Sequence, residues 1–255
     1  MAKTAPTVDL AFHGDLPDPA INGTGWSAWG DIALASDGRV YSGIGDHGDD
    51  AGGNGHAYLY QWDPKTKVLK QVADLNAIVP RAKGEPTWTK LHARIEEGVD
   101  GNIYFVGTLN DGNTADKPQY KWSEAIPGAQ LFQYNPVTGK AALYANLPAG
   151  HCTATALMDR QRNIWWCNLE TGPNGLWALD MATKQPLYQA PAGSVGLNRN
   201  FAMDKKGLVY FNGPDGAIWK CDAKAKTITR TKSTFGPASP GMRSSTDETK
   251  NGWIY

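Results

Sequence analysis

Five times along this chain a turn carrying Asp, usually with Gly, is followed by a β-branched residue and an aromatic: Val40-Tyr41, Ile103-Tyr104, Ile164-Trp165, Val209-Tyr210 and Ile254-Tyr255. The last two intervals are both 45 residues. Self-similarity at such a period, in units that read as strands, constrains the fold more than any other feature, because a unit of that size cannot bury its apolar face alone and must stack on its neighbours. Each repeat breaks into four short runs separated by turn signals. In the first these are residues 31–36, 39–44, 57–62 and 68–74, with Asp37-Gly38 between the first two and Asp63-Pro64-Lys65-Thr66 between the last two. The latter turn recurs at Asn135-Pro136, Asp180-Met181 and Asp222-Ala223. Asp or Asn at the first position, with Pro tolerated at the second, is type I turn chemistry.

The pattern predicts an all-β chain, a β-propeller of four-stranded antiparallel blades. Four complete blades fall at about 27–75, 92–147, 151–191 and 197–234, and a partial fifth at 241–255. The expectation is therefore one propeller domain over residues 1–255 that is a fragment of a longer ring, with residues 7–12 reading as an outer strand without a blade of its own. Ten Trp, ten Tyr and 29 Gly suit such a repeat, aromatics between sheets and Gly in turns. Residues 71–83 hold at most a turn or two of helix, ended by Pro80.

Equal numbers of acidic and basic residues, 25 of each, argue against a nucleic-acid partner or a charged membrane surface. No apolar run approaches the roughly 20 residues of a membrane span. Cys152, Cys167 and Cys221 are too scattered for a disulfide scaffold. Antiparallel pairing around residues 160–162 sets Cys152 opposite about residue 170, out of register with Cys167, so all three read as core residues.

Loop lengths mark one functional face. The first-to-second and third-to-fourth strand turns are short, whereas residues 45–55, 109–128 and 76–91 form long connections that gather on the opposite end. With repeats aligned on Asp37, Asp100 and Asp159, the position eight residues earlier holds Trp29, His92 and His151. This places both histidines where an inner strand enters the axial channel, with Arg94 two residues further in and Asn198, Arg199, Asn200 and Arg243 on the same rim. Arg matches a carboxylate with forked hydrogen bonds, and His exchanges protons near neutral pH. Arg94 with Glu96 or Glu97 is also a candidate inter-blade pair. Asp46, His47, Asp49, Asp50 and His56 form a second cluster whose oxygen and imidazole donors suit calcium, manganese or zinc, although their spacing matches no defined motif. In the loop 110–128, Tyr120 and Trp122 offer a proton-transfer phenol and a ring on which a sugar can stack.

Residues 91–108, Leu-His-Ala-Arg-Ile-Glu-Glu-Gly-Val-Asp-Gly-Asn-Ile-Tyr-Phe-Val-Gly-Thr, resemble a blade of bacterial seven-bladed propellers that include the oligogalacturonate and ulvan polysaccharide lyases and their exported relatives. The resemblance implies a glycan or other small anionic ligand, periplasmic or secreted residence, and β-elimination at a uronate. In that scheme His92 transfers the proton, Tyr120 or His151 partners it, and Arg94 or Arg199 neutralises the carboxylate. Thr108 and Asn110 stand where the family has a second pocket histidine. The start, Met-Ala-Lys-Thr-Ala-Pro, carries no apolar signal core, which a mature exported chain given a new start codon would share. Two other readings remain: a non-catalytic propeller that binds a glycan or protein, and a calcium-dependent lactonase with Asp31, Asn198 and Asn200 at the rim. Fold alone does not choose among them.

Overall fold

In the structure, a computed structural model, the described residues are 8, 28, 32–45, 55–82, 85, 87–109, 128–149, 151–153, 155–169, 175–196, 198–234, 242, 245, 246 and 248–255. They form four consecutive antiparallel sheets. The first contains β1 (Ala33–Leu34), β2 (Val40–Gly45), β3 (Ala57–Asp63) and β4 (Val68–Asp74), paired in that order. A single helical turn, α1 (Leu75–Ile78), follows, capped by the Asp74 side chain and ended just before Pro80. The second sheet holds β5 (Trp88–Leu91), β6 (Glu96–Glu97), β7 (Ile103–Leu109), β8 (Gln130–Asn135) and β9 (Lys140–Asn146), with β5 and β6 both on the free edge of β7. The third runs β10 (Ala156–Asp159), β11 (Ile164–Leu169), β12 (Gly175–Asp180) and β13 (Gln185–Gln189). The fourth runs β14 (Ala202–Met203), β15 (Val209–Asn212), β16 (Ala217–Asp222) and β17 (Thr227–Thr234). Each is an up-and-down blade of a β-propeller, and in the first blade strands two to four lie within a residue of their sequence-read limits.

The fifth repeat also forms its hairpin. Thr246 N–H donates to the Tyr255 carbonyl at 2.8 Å and Thr249 N–H to the Trp253 carbonyl at 2.9 Å. The second of these bonds recurs at Ala35, Gly98 and Asp204, each donating to the residue four positions on. Gly38, Gly101, Gly207 and Gly252 take positive φ three positions along, which glycine adopts without steric cost.

The sheets bury both faces. Along β11, Trp165 and Cys167 join a core cluster shared with the first two sheets, whereas Ile164 and Trp166 join a second cluster with Phe201, Val209 and Phe211 of the fourth. A strand covered on both sides has no solvent face, which is why Ile-Trp-Trp-Cys reads as an unbroken apolar run. The three cysteines are buried, and burial pushes the Cys221 thiol up to about 12. In the β10–β11 ladder Cys167 stands opposite Ala156.

In the outer turns, the Asp63 carboxylate accepts from Lys65 N–H at 2.9 Å and the Asp180 carboxylate from Thr183 N–H at 2.9 Å, bonds that hold both carboxyls below the usual range. Four residues after the turn-opening Asp or Asn the chain enters the left-handed region: Lys67, Gly139, Lys184 and Lys226 have φ of 59°, 68°, 58° and 53°. Only one of the four is glycine. Lys226→Gly should therefore raise stability by about 0.5–1 kcal/mol, and Gly139→Ala, where an added Cβ meets nothing within 4 Å, should lower it by a similar amount through backbone conformation alone. Thermal melts of the two variants check the opposed signs.

Candidate functional site

The inner edge of the second sheet is broken where the sequence places His92 and Arg94. Leu91 pairs with Gly107 and Glu96 with Tyr104, so residues 92–95 stand opposite only Phe105 and Val106. Two extra residues are thereby accommodated as a wide bulge, a device that re-aims side chains. Ala93 and Ile95 are buried at 0% and 3% exposure, while His92 and Arg94 between them are half-buried. The bulge thus keeps the small and aliphatic residues inside and turns the imidazole and guanidinium outward.

Arg94 then reaches across the molecule. Its Nε lies 3.2 Å from Glu96 Oε1, and its Nη1 lies 3.5 Å from Asn200 Oδ1. Asn200 precedes β14 in the fourth sheet, so this contact joins two blades with a third between them. Blades radiating from a common axis meet in this way only at their innermost strands, which locates Arg94, Glu96 and Asn200 at the axis.

His151 has a different setting. It lies between β9 and β10, half-buried, with its carbonyl accepting from Ala129 N–H at 2.7 Å and its own N–H donating to the Pro148 carbonyl at 3.2 Å. Its backbone is therefore tied to the second sheet although its repeat position belongs to the third. Its Nδ1 is buried with no partner among the described residues. Further along, Thr155 Oγ donates to the Asn198 carbonyl at 2.7 Å, joining the third and fourth inner edges.

Asn198 is fully buried, and its carboxamide is committed to the protein. It donates to the carbonyls of Gly196 (2.9 Å) and Asn212 (3.1 Å) and accepts from Asn212 N–H (2.7 Å), bracing the end of β15. Arg199 is half-buried, and its backbone N–H donates to the Met242 carbonyl at 2.9 Å, linking the fourth sheet to the segment before the fifth hairpin. Asn200 Oδ1 also accepts from Phe201 N–H at 2.8 Å. The structure thus brings Arg94 together with Asn200, and sets His92 in the same bulge as Arg94.

Of the remaining candidates, Trp29, Asp31, Asp46, His47, Asp49, Asp50, Tyr120, Trp122 and Arg243 lie outside the described residues. His56 stacks on Tyr58, ring centroids 6.1 Å apart at 25°. Among the described residues no three His, Cys, Asp or Glu side chains gather as a metal site would require.

Two residues, Glu97 and Asn168, have partners or places that sequence reasoning did not give them: Glu96 takes the pairing with Arg94 that was also open to Glu97, and Asn168 was not singled out. Glu97 accepts from the backbone N–H and hydroxyl of Ser36 in the first blade and from Arg160 Nη1 in the third, at 3.1 Å. Its partners are 61 and 63 residues away, and no local signal reveals them. Asn168 is a carboxamide inside the apolar run of β11 and is fully buried. Its polarity in that strand is a signal that could have singled it out.

No protein-family model matches the chain, and no curated protein matches it. Solved structures do. The chain is similar to TolB from Acinetobacter baumannii with a TM-score of 0.47 and 10% identity, over 81% of this chain and 44% of that one. It is similar to a presumed 6-phosphogluconolactonase from Bacteroides uniformis with a TM-score of 0.47 and 11% identity, over 79% and 52%. It is also similar to the C-terminal WD40 domain of Sif2, with a TM-score of 0.45 and 15% identity, over 79% and 46%. The chain spans about half the length of these structures.

Chemically, the described residues supply a guanidinium held in place by Glu96 and Asn200, and an imidazole at His92 in the same bulge. Such a set can orient an anion and exchange a proton.

Proposed function

We propose that this chain is an exported, carbohydrate-active propeller whose axial mouth takes an acidic glycan, with uronate-containing polysaccharide as the substrate class. The observation that carries this reading is the bulged inner edge that turns His92 and Arg94 out of the core, with Arg94 extended to the fourth blade. Export rests on the resemblance of residues 91–108 to blades of exported propellers. Among the described residues no helix is long and apolar enough to cross a membrane.

As a lyase, the site would work by β-elimination. A base takes the proton next to the uronate carboxylate, a carbon–carbon double bond forms, and the glycosidic oxygen leaves with a proton. His92 is assigned the proton transfer, with His151 or Tyr120 as its partner. Arg94 or Arg199 is assigned to the carboxylate, where it stabilises the charge that develops as the proton departs. The substrate carries its own leaving group, which departs as the double bond forms, so the balance needs no oxidant or further reactant.

A binding module without turnover is the second reading, favoured by one specific observation. Arg94 is already braced by Glu96 and Asn200, an arrangement that serves to join blades as well as to hold a ligand. Incubation with pectate, ulvan and other uronate polymers separates the readings. A lyase yields an unsaturated product that absorbs in the ultraviolet, and His92→Ala should lower kcat by about 10²–10⁴-fold while substrate binding persists. Binding without product on every polymer leaves the module reading. Absence of both binding and product overturns the proposal.

A further inference from the structure

We infer that the outer surface of the fourth blade carries a second subsite for the acidic glycan, built from Trp219, Asp215 and Arg230. The inference rests on the glycan reading above and adds a point of attachment away from the axis. Each blade places an aromatic residue three positions before the Asp or Asn that opens its last turn: Tyr60, Phe132, Trp177 and Trp219. The first three are buried, at 4%, 0% and 2% exposure, whereas Trp219 is half-buried and reaches solvent. The connection into its strand is the short turn 213–216. A Cβ added to Gly213 would lie 2.2 Å from the indole Cδ1 and Nε1, so the glycine leaves that edge of the ring its place.

The ring is held from the same edge. Trp219 Nε1 donates to Asp215 Oδ1 at 2.9 Å, and Arg230 Nε, from the neighbouring strand β17, donates to Asp215 Oδ2. The side chains of Asp215 and Arg230 are 40% and 53% exposed. An ion pair this open to water adds little to stability, so the fold gives little reason to gather an indole and a guanidinium on one surface carboxylate. A ligand does. Arg230 gives one further N–H to the Thr231 carbonyl at 3.2 Å, which leaves three of its five N–H donors without a partner among the described residues.

These groups select an acidic sugar. The indole offers a flat apolar surface to the C–H side of a ring. The guanidinium offers forked donors to a carboxylate, and Asp215 can accept from hydroxyls. The charge around them has the same preference. Residues 197–234 carry eight Lys and Arg against three Asp, in a chain with 25 charges of each sign. All three carboxylates already accept hydrogen bonds from the blade itself. The place of the subsite favours a polymer. The strand β15 ends at Asn212, which Asn198 braces from the rim, and the turn 213–216 leads outward from there. Neighbouring strands lie about 4.8 Å apart, so Trp219 on β16 stands about 10 Å out from the inner strand β14. A polymeric uronate can bridge that step, and a single sugar cannot.

Titration calorimetry of the whole chain with pectate and with ulvan fragments tests this. Trp219→Ala and Arg230→Gln should each weaken polymer binding about tenfold, and Trp219→Phe, which keeps a ring, should lose less. Lys224→Gln, an exposed change in the turn at the opposite end of the blade, should bind as the wild type does. Arg230 is more than half exposed, so its replacement reads the site without disturbing the core. Unchanged binding in both Trp219→Ala and Arg230→Gln overturns the subsite. So does a loss in Lys224→Gln equal to that in Arg230→Gln, since the attraction would then be diffuse. Arg94→Ala separates the subsite from the axial reading. Binding that survives Arg94→Ala and falls in Trp219→Ala keeps the subsite and loses the axial reading, and the opposite pattern does the reverse. A wild type that binds neither polymer overturns both.

Discussion

Trp88→Ala should lower stability by about 3–5 kcal/mol, the range found when large aromatic residues are removed from cores. Trp88 opens β5 and has 0% exposure. Its ring stands edge-on to Phe132, with centroids 5.4 Å apart, and its Nε1 donates to the Val79 carbonyl at 3.4 Å. A Cβ added to Gly107 would lie 3.0 Å from the indole, so this glycine is what lets the ring sit against β7. Truncation removes the packing where β5 contacts the first blade and also the indole donor to the Val79 carbonyl. The checking measurement is denaturant unfolding, in which the midpoint falls while the slope stays constant. Trp253, 64% exposed in the fifth hairpin, supplies the contrast: its replacement by Ala should change stability by no more than about 0.5 kcal/mol. A loss at Trp88 as small as that at Trp253 would contradict the packing between the first two blades.

Glu97→Ala should cost about 2–3 kcal/mol, because one carboxylate serves three blades. It accepts two hydrogen bonds from Ser36 and one from Arg160. The Glu97 side chain is 10% exposed but Ser36 is exposed, so its two charge-assisted bonds to Ser36 compete with water and fall at or below the low end of the class worth about 1.5–3 kcal/mol each. Arg160 is 51% exposed and adds little. Glu97→Gln, which keeps one acceptor oxygen, should recover part of the loss. A double-mutant cycle pairing Glu97→Ala with Ser36→Ala measures the hydroxyl's share, and a coupling near zero would show that the contact does not join the blades.

Strands two to four of each blade were legible because turn chemistry punctuates them. Asp63, Asn135, Asp180 and Asp222 each accept backbone N–H groups of their own turn, so the residue that signals the turn is the one that builds it. The pairing of β10 with β11 was legible for a related reason, since antiparallel register follows arithmetically from a short turn. The inner edge was less so. Trp88–Leu91 reads as part of a connection but forms β5, and the slip at residues 92–95 has no compositional mark. His92 and His151 share a repeat offset, yet one sits in a bulge of its own blade and the other is bonded to the preceding blade at Ala129. Repeat arithmetic fixes position along the unit and leaves the backbone's partner open. The Arg94–Asn200 contact, 106 residues apart in sequence, depends on how the blades are arranged about the axis, and one blade's pattern does not contain that information.

The carboxylate joint at Glu97 occurs again. Glu248 occupies the same place before its turn, and it accepts the backbone N–H of Lys205 at 2.8 Å, as Glu97 accepts that of Ser36 at 3.0 Å. In both cases the acceptor precedes the first turn residue and the donor follows the first turn residue of the previous blade. Because the donor is main chain, the preceding unit need supply no particular side chain. A blade ending its inner strand in Glu can therefore dock behind any blade with this turn. Such a coupling lets a gene gain or lose one unit at a time by duplication or deletion without a compensating change in the neighbour, so unit number becomes a quantity that selection can vary.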